Sequence, residues 1–279
     1  MAGIKLTIPS SKDILSWSYG EVYNKDLFND KNNKPIMNGL FCPKIFGPIN
    51  SYECLCEAPV LDKSSSCCDV CGVDLDISKD RARSRFGHIQ LCAPIVHIWF
   101  YKSNPSILSV LLNKPIEYIQ SLVNCELHII TSSLTDKYKI GQVINTNTYN
   151  KIWDQRHIYT VLSGGSAVLE LLSKVQPEQL KKIISAKYKG LNSQKDLNDK
   201  LKIVNDFINN NMSSKVIINF LPVLPAPLRP TIMLPDNTYT SSDLNELYKN
   251  IIDVNNNIRL KLAMLRVGKT ISFHEYISN

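Results

Sequence analysis

Apolar and polar positions alternate in short blocks along the chain, and most blocks predict a brief element. Residues 12–17 carry apolar positions at a helical step behind Ser10 and Ser11, either of which can cap a first turn, so one or two helical turns are expected. Residues 24–38 are rich in Asn, Asp and Lys and predict an exposed loop. The block GHIQLCAPIVHIWF, 87–100, is apolar, β-branched and aromatic, with Pro94 inside it; it predicts one or two buried strands. Helical spacing covers 105–126 in two pieces split at Pro115, LHIITS alternates as a strand, and 165–212 holds two or three amphipathic helices. Prolines recur through FLPVLPAPLRPTIMLP, 220–235, fixing φ and removing donors. That stretch is extended and stiff, either a linker or the base of a projecting loop over 231–240. Ser241, Ser242 and Asp243 then offer N-caps for a long helix. Within it Leu244, Tyr248, Ile251, Asn255, Ile258, Leu262 and Leu265 recur at steps of four and three residues. That is a coiled-coil seam with one polar position, or a helix packed on the chain's own core.

The mixture of strands and helices places the fold in the α+β class. With 279 residues, 44% of them hydrophobic, the chain can bury one large or two small cores. The 32 Lys and Arg against 25 Asp and Glu leave a formal charge of +7, a lean toward anionic partners such as nucleic acid. The amino terminus has no apolar run of signal-peptide length, and no segment reaches the roughly 20 apolar residues of a membrane span. A reducing compartment is therefore expected, where clustered cysteines read as metal-binding or redox groups rather than a disulfide framework.

The cysteines change the picture most. Residues 39–72 hold six of the eight, and Cys54, Cys56, Cys68 and Cys71 form a C-x-C…C-x-x-C pattern. Two short turns can supply a tetrahedral zinc ion with its four thiolates in pairs, and four cysteines exceed what a redox pair needs. Cys67 could compete with Cys68, although the C-x-x-C spacing favours Cys68 with Cys71. Cys42, Cys92 and Cys125 read as buried thiols, and His88 and His97 as core residues. Downstream, Lys79, Arg81, Arg83 and Arg85 alternate; they could track a phosphate backbone or form a solvated charged turn.

Seven stretches resemble one family. SWSYGEV (16–22), GLFCPKIFGP (39–48), YECLC and CDVCG (52–56, 68–72), GHIQLCAPIVHIWFYKSNPS (87–106), LPVLPAPLRP (221–230) and SDLNELY (242–248) resemble the amino-terminal part of β′. This is the largest subunit of bacterial-type DNA-directed RNA polymerase. The resemblance implies an elongated clamp module with a four-cysteine zinc-binding loop, short strands, a helical insert and half of a coiled coil. Its expected segments are 1–103, with the zinc loop at 52–72, then a mainly helical 104–219, the lid base and lid at 220–240, and the coiled-coil helix with a short tail at 241–279.

The resemblance also implies roles. Structural zinc would sit on Cys54, Cys56, Cys68 and Cys71 near upstream DNA. The loop at 31–38, with Lys31 and Lys34, would be the zipper. Residues 231–240 would be the lid that separates nascent RNA from template, and Asn255, Asn256 and Arg259 would help dock a σ-like factor. Two departures stand out: Asp236, Asn237 and Thr238 replace the family's Gly-Gly-Arg in the lid, and Val254 and Asn257 replace two arginines. The catalytic Asp triad of NADFDGD is absent, so the chain is expected to be inactive alone, with Mg²⁺ held by another chain. A split β′ follows as the expectation, of the kind found in large DNA phages. Partners would be DNA, RNA, a β subunit, a second β′ chain, a σ-like factor and α subunits, in a bacterial or infected-host cytoplasm and away from membranes. The alternative is a stand-alone zinc-dependent nucleic-acid-binding regulator derived from the family.

Overall fold

The computed structural model describes residues 7–29, 34–48, 54–56, 67–75, 82–155, 157–187, 194–209, 212–233 and 239–266. The chain forms two compact units, one of residues 1–8 with 93–219, the other of 9–92 with 220–279. The proline-rich stretch from 220 and the long helix therefore belong to the same unit as Cys54, Cys56, Cys68 and Cys71, although some 130 residues of sequence intervene.

That second unit begins with α1 (Ser11–Trp17), capped by a reciprocal box in which Ser10 Oγ accepts from the Asp13 amide and the Asp13 carboxylate accepts from the Ser10 amide. Strand β1 (Ser18–Glu21) follows directly and pairs in parallel with β2 (Phe86–Val96), the central strand of a sheet ordered β1-β2-β6, where β6 is Ile217–Val223. The short helix α2 (Pro43–Phe46) supplies much of the core. Leu40, Phe41, Cys42, Ile45 and Phe46 are all buried there with Val22, Ile89, Val223, Tyr248 and Ile252. The GLFCPKIFGP stretch is thus a packing motif. Gly87 is required by that packing, because a Cβ there would fall 2.9 Å from the Phe46 ring.

The other unit contains α3 (Ile98–Lys102), α4 (Ile107–Leu112), α5 (Ile116–Val123), β3 (Leu127–Ser133), β4 (Val143–Asn145), α6 (Thr146–Ile152), β5 (Tyr159–Leu162), α7 (Gly164–Ser173), α8 (Pro177–Lys187), α9 (Gln194–Asn209) and α10 (Ser213–Val216). Its antiparallel sheet runs β4-β3-β5. Alternation along β3 sends Ile129 into a core with Phe100, Leu108, Ile119, Leu122 and Val168, and Ile130 into a second core with Ile144, Ile152 and Tyr159.

Pro94 does not divide the apolar block 87–100: β2 runs through it to Val96, and IWF is helical in α3 instead. His97 is the N-cap of that helix, its Nδ1 accepting from the Trp99 amide at 3.2 Å. The break at Pro115 falls where expected, since α4 ends with Asn113 in the left-handed region and α5 begins after Pro115. Cys42 is buried, but Cys92 is only half-buried and Cys125 is exposed.

Candidate metal centre

Two short backbone devices present the four sulfurs. Residues 54–56 bend so that the Cys54 thiol donates to the Cys56 carbonyl at 2.9 Å. The second pair sits on a tight hairpin closed by a bridge between Cys67 and Asp74, with the Cys68 amide donating to the Val73 carbonyl (2.9 Å) and the Gly72 amide to the Cys68 carbonyl (2.8 Å). The hairpin reverses at Gly72, whose φ of +68° favours glycine.

The geometry meets the requirements of a tetrahedral ion. All four ligand atoms lie within 4.8 Å of one another, with Cys54 and Cys56 Sγ 3.2 Å apart and Cys56 and Cys68 Sγ 3.4 Å apart. A zinc–sulfur distance of about 2.3 Å implies tetrahedral edges near ~3.8 Å, so closure on an ion needs sulfur shifts of a few tenths of an ångström. The electrostatics point the same way. Burial alone would push the Cys71 thiol up. Hydrogen bonds from the backbone at Cys56 and Val73, from the Cys68 thiol and from the backbone at Leu55 outweigh it and bring Cys71 down to about 6. Burial pushes Cys54 up to about 12, reinforced by hydrogen bonds with the Cys56 and Cys68 sulfurs and by charge on Cys71 and Cys68. Backbone donors thus prepare one thiolate, while a second needs a cation to offset the like charge. Four sulfurs complete a tetrahedral shell and leave no position for a reacting water. Among the described residues this is the one group of three or more His, Cys, Asp or Glu side chains able to share an ion.

The basic residues divide. Lys79, Arg81 and Lys31 lie outside the described residues, as do Asp236, Asn237 and Thr238. Arg83 is exposed. Arg85 is not available to a phosphate backbone. Only 8% exposed, it donates from Nε to the Ile45 carbonyl (3.0 Å), from Nη2 to the Lys44 carbonyl (3.0 Å) and from Nη1 to the Asp74 carboxylate (2.5 Å). It therefore fastens the cysteine hairpin to the carboxyl end of α2, where its charge meets the helix's free carbonyls. Lys34 is half-buried, and its carbonyl accepts from the Asn29 amide at 2.8 Å. Exposed Lys44, unmarked by sequence reasoning, runs its side chain beside Gly72 of the hairpin.

The most consequential residue that sequence reasoning missed is Arg229. It is 0% exposed and has no carboxylate partner among the described residues. Its Nε donates to the Leu224 carbonyl (2.8 Å), Nη1 to Asn245 Oδ1 (3.0 Å) and Nη2 to the Leu40 carbonyl, and the Phe41 and Phe46 rings lie 4.9 and 4.7 Å from its guanidinium carbon. Burial lowers it to about 10, so it stays charged at neutral pH. The only local signal was one charge among the prolines and apolar residues of PAPLRP.

Past Arg229 the chain turns back in a hairpin of β7 (Thr231–Met233) and β8 (Tyr239–Ser241), pairing Thr231 with Ser241 and Met233 with Tyr239. The helix α11 (Asp243–Arg266) follows. Of the seam, Tyr248 and Asn255 are buried and Ile251 packs against the unit's own core, so its first half has an intrachain partner, with Ile252 buried beside it. Asn255 accepts from the Cys92 amide and donates to the Gln90 carbonyl, both at 2.8 Å, extending the ladder of β2 beyond the end of β1. Asn256 donates to the Tyr23 carbonyl (2.8 Å), and Arg259 reaches Glu21 (2.8 Å) and the Gln90 carbonyl (2.7 Å). All three residues expected to dock a σ-like factor thus bond within the chain. Leu247 and Val254 face outward instead.

One family model matches almost the whole chain: that of RNA polymerase Rpb1, domain 1, over residues 1–272.

Proposed function

Because the chain belongs to the RNA polymerase Rpb1 domain 1 family, the amino-terminal part of the β′-type largest subunit, we propose that it forms the zinc-bearing clamp element of a DNA-dependent RNA polymerase. Its mechanism is guidance of nucleic acid strands. The observation that carries this reading is the cysteine cage fastened to the unit's core through Arg85. Zinc on Cys54, Cys56, Cys68 and Cys71 would fix the hairpin rigidly, and Lys44 and Arg83 would offer exposed positive charge to upstream DNA. The β7–β8 hairpin is the stem of a lid that separates RNA from template. A σ-like factor docks on the outward face of α11, where Leu247 and Val254 are 59% and 52% exposed. Nucleotidyl transfer belongs to the assembled polymerase, whose catalytic carboxylates lie outside this sequence. A photocrosslinker at position 83 in the assembled polymerase on promoter DNA tests the reading. Crosslinks to upstream duplex are expected; an active polymerase giving none there would contradict it.

A further inference from the structure

We infer that a recess between α1 and β2, lined by Ser16, Trp17, Ser18, Tyr19, Ser84 and Phe86, is a stacking site for an unpaired nucleobase of a single-stranded nucleic acid. Its volume is about 530 Å³, within the range of ligand pockets. The aromatic residues are open to solvent: Trp17 is 45% exposed and Tyr19 57%. Both rings are nevertheless backed on one side. The Arg85 guanidinium lies 4.0 Å from the Tyr19 ring centroid and is itself held by Ile45, Lys44 and Asp74, while Phe86 lies 6.0 Å from the Trp17 ring. Tyr19 thus has one face covered by a fixed guanidinium, and Trp17 is steadied by a tilted contact with Phe86, while about half of each side chain is open to solvent.

Apolar packing alone does not account for two large rings left half open on a supported base. The chemistry around them selects the occupant. Serine hydroxyls and aromatic rings make up the lining, with no carboxylate. Exposed Arg83 adjoins Ser84 in sequence and adds a cation to the rim segment, able to meet a phosphate flanking a stacked base. The nearest acid on α1, Asp13, is taken up by the cap at Ser10. A flat π-surface beside a cation is what sequence-tolerant single-strand binding uses, and a ring fixed before binding loses little freedom on stacking. The assignment draws on the proposed function only for its class of partner.

Binding of fluorescein-labelled oligo-U and oligo-dT to the full chain, measured by anisotropy, tests the site. Both are expected to bind and to quench Trp17; binding of one alone supports the site and identifies its source as RNA or DNA. Tyr19→Ala should weaken binding about ten-fold or more, as loss of one stacked base implies, whereas Tyr19→Phe keeps the ring and should bind within about two-fold of the parent. Trp17→Phe should retain binding and lose the quench. An unchanged thermal midpoint and metal content would establish that Tyr19→Ala is folded. Failure of both oligonucleotides to bind, or a folded Tyr19→Ala that binds like the parent, overturns the site. The second result leaves the clamp reading untouched, because other surfaces would then be holding the strand.

Discussion

Two arginines show how chemistry decides roles that type and spacing leave open. Arg85 ends an alternating basic series and reads as a phosphate contact, yet its three donors are satisfied by Ile45, Lys44 and Asp74. Arg229 stands among prolines, and its donors are met by Leu224, Asn245 and Leu40. Truncating either leaves buried acceptors without partners. Arg229→Met should cost about 3 kcal/mol, seen in urea denaturation followed by Trp17 fluorescence in a Trp99→Phe, Trp153→Phe background. Arg229→Lys should recover only part of that, since one ammonium cannot span three separated acceptors. Residue type revealed the four cysteines because a metal needs close ligands in local pairs. It could not reveal the arginines, whose partner Leu40 is 189 residues from Arg229. Histidine gives a pH prediction. Burial lowers His88, His97 and His128, so the unfolded chain takes up protons more readily. Stability is full above the unfolded value near ~6.5 and falls as pH drops through the lower folded values. His128→Phe, which keeps a ring stacked on Tyr149, should make the acid decline of the denaturation midpoint shallower.

At the scale of elements, the periodicity of the sequence located most helices, because amphipathic spacing is a local property. The capped start of α1, the pair split at Pro115 and the start of α11 all fall where their residues place them. The block at 87–100 was harder. Apolar in nearly every position, it carried no period to separate strand from helix, and His97 capping α3 is what ends β2. The seam of α11 was open to two readings for the same reason: spacing shows which face is apolar, not what covers it. Tyr248 settles its first half by lying buried in one cluster with Phe41, Ile45 and Val223, against which Ile251 packs. Asn255 is the polar member of the seam because it completes the β2 ladder. Asn255→Ala should remove the two side-chain bonds that tie α11 to β2, leaving Arg259 alone on the Gln90 carbonyl, and cost about 1 kcal/mol in urea denaturation. A polar outward change such as Val254→Asn should leave that stability within about 0.5 kcal/mol and weaken docking of a σ-like factor.

For the whole molecule, two units are built from interleaved stretches, and sequence order hides that arrangement. The proline-rich stretch and α11 complete the unit that carries the four-cysteine cage, with Val223, Tyr248 and Ile252 filling a core begun by Val22 and Leu40. Zinc enters this account as a fastening for one hairpin of that unit. Cys68→Ser with Cys71→Ser should therefore reduce zinc from about one ion per chain to nearly none by elemental analysis, with the main melting transition retained at a lower midpoint, because the cluster around Ile45 and Ile89 is built from other segments while the hairpin's own Val73 is buried. Affinity purification of the tagged chain from its native cells, with mass spectrometry of what accompanies it, tests whether the chain acts inside a polymerase. The predicted result is stoichiometric recovery of a β-type subunit and of the polypeptide sequence bearing the catalytic Asp triad. A protein recovered alone, as a folded zinc-bound monomer, would contradict it.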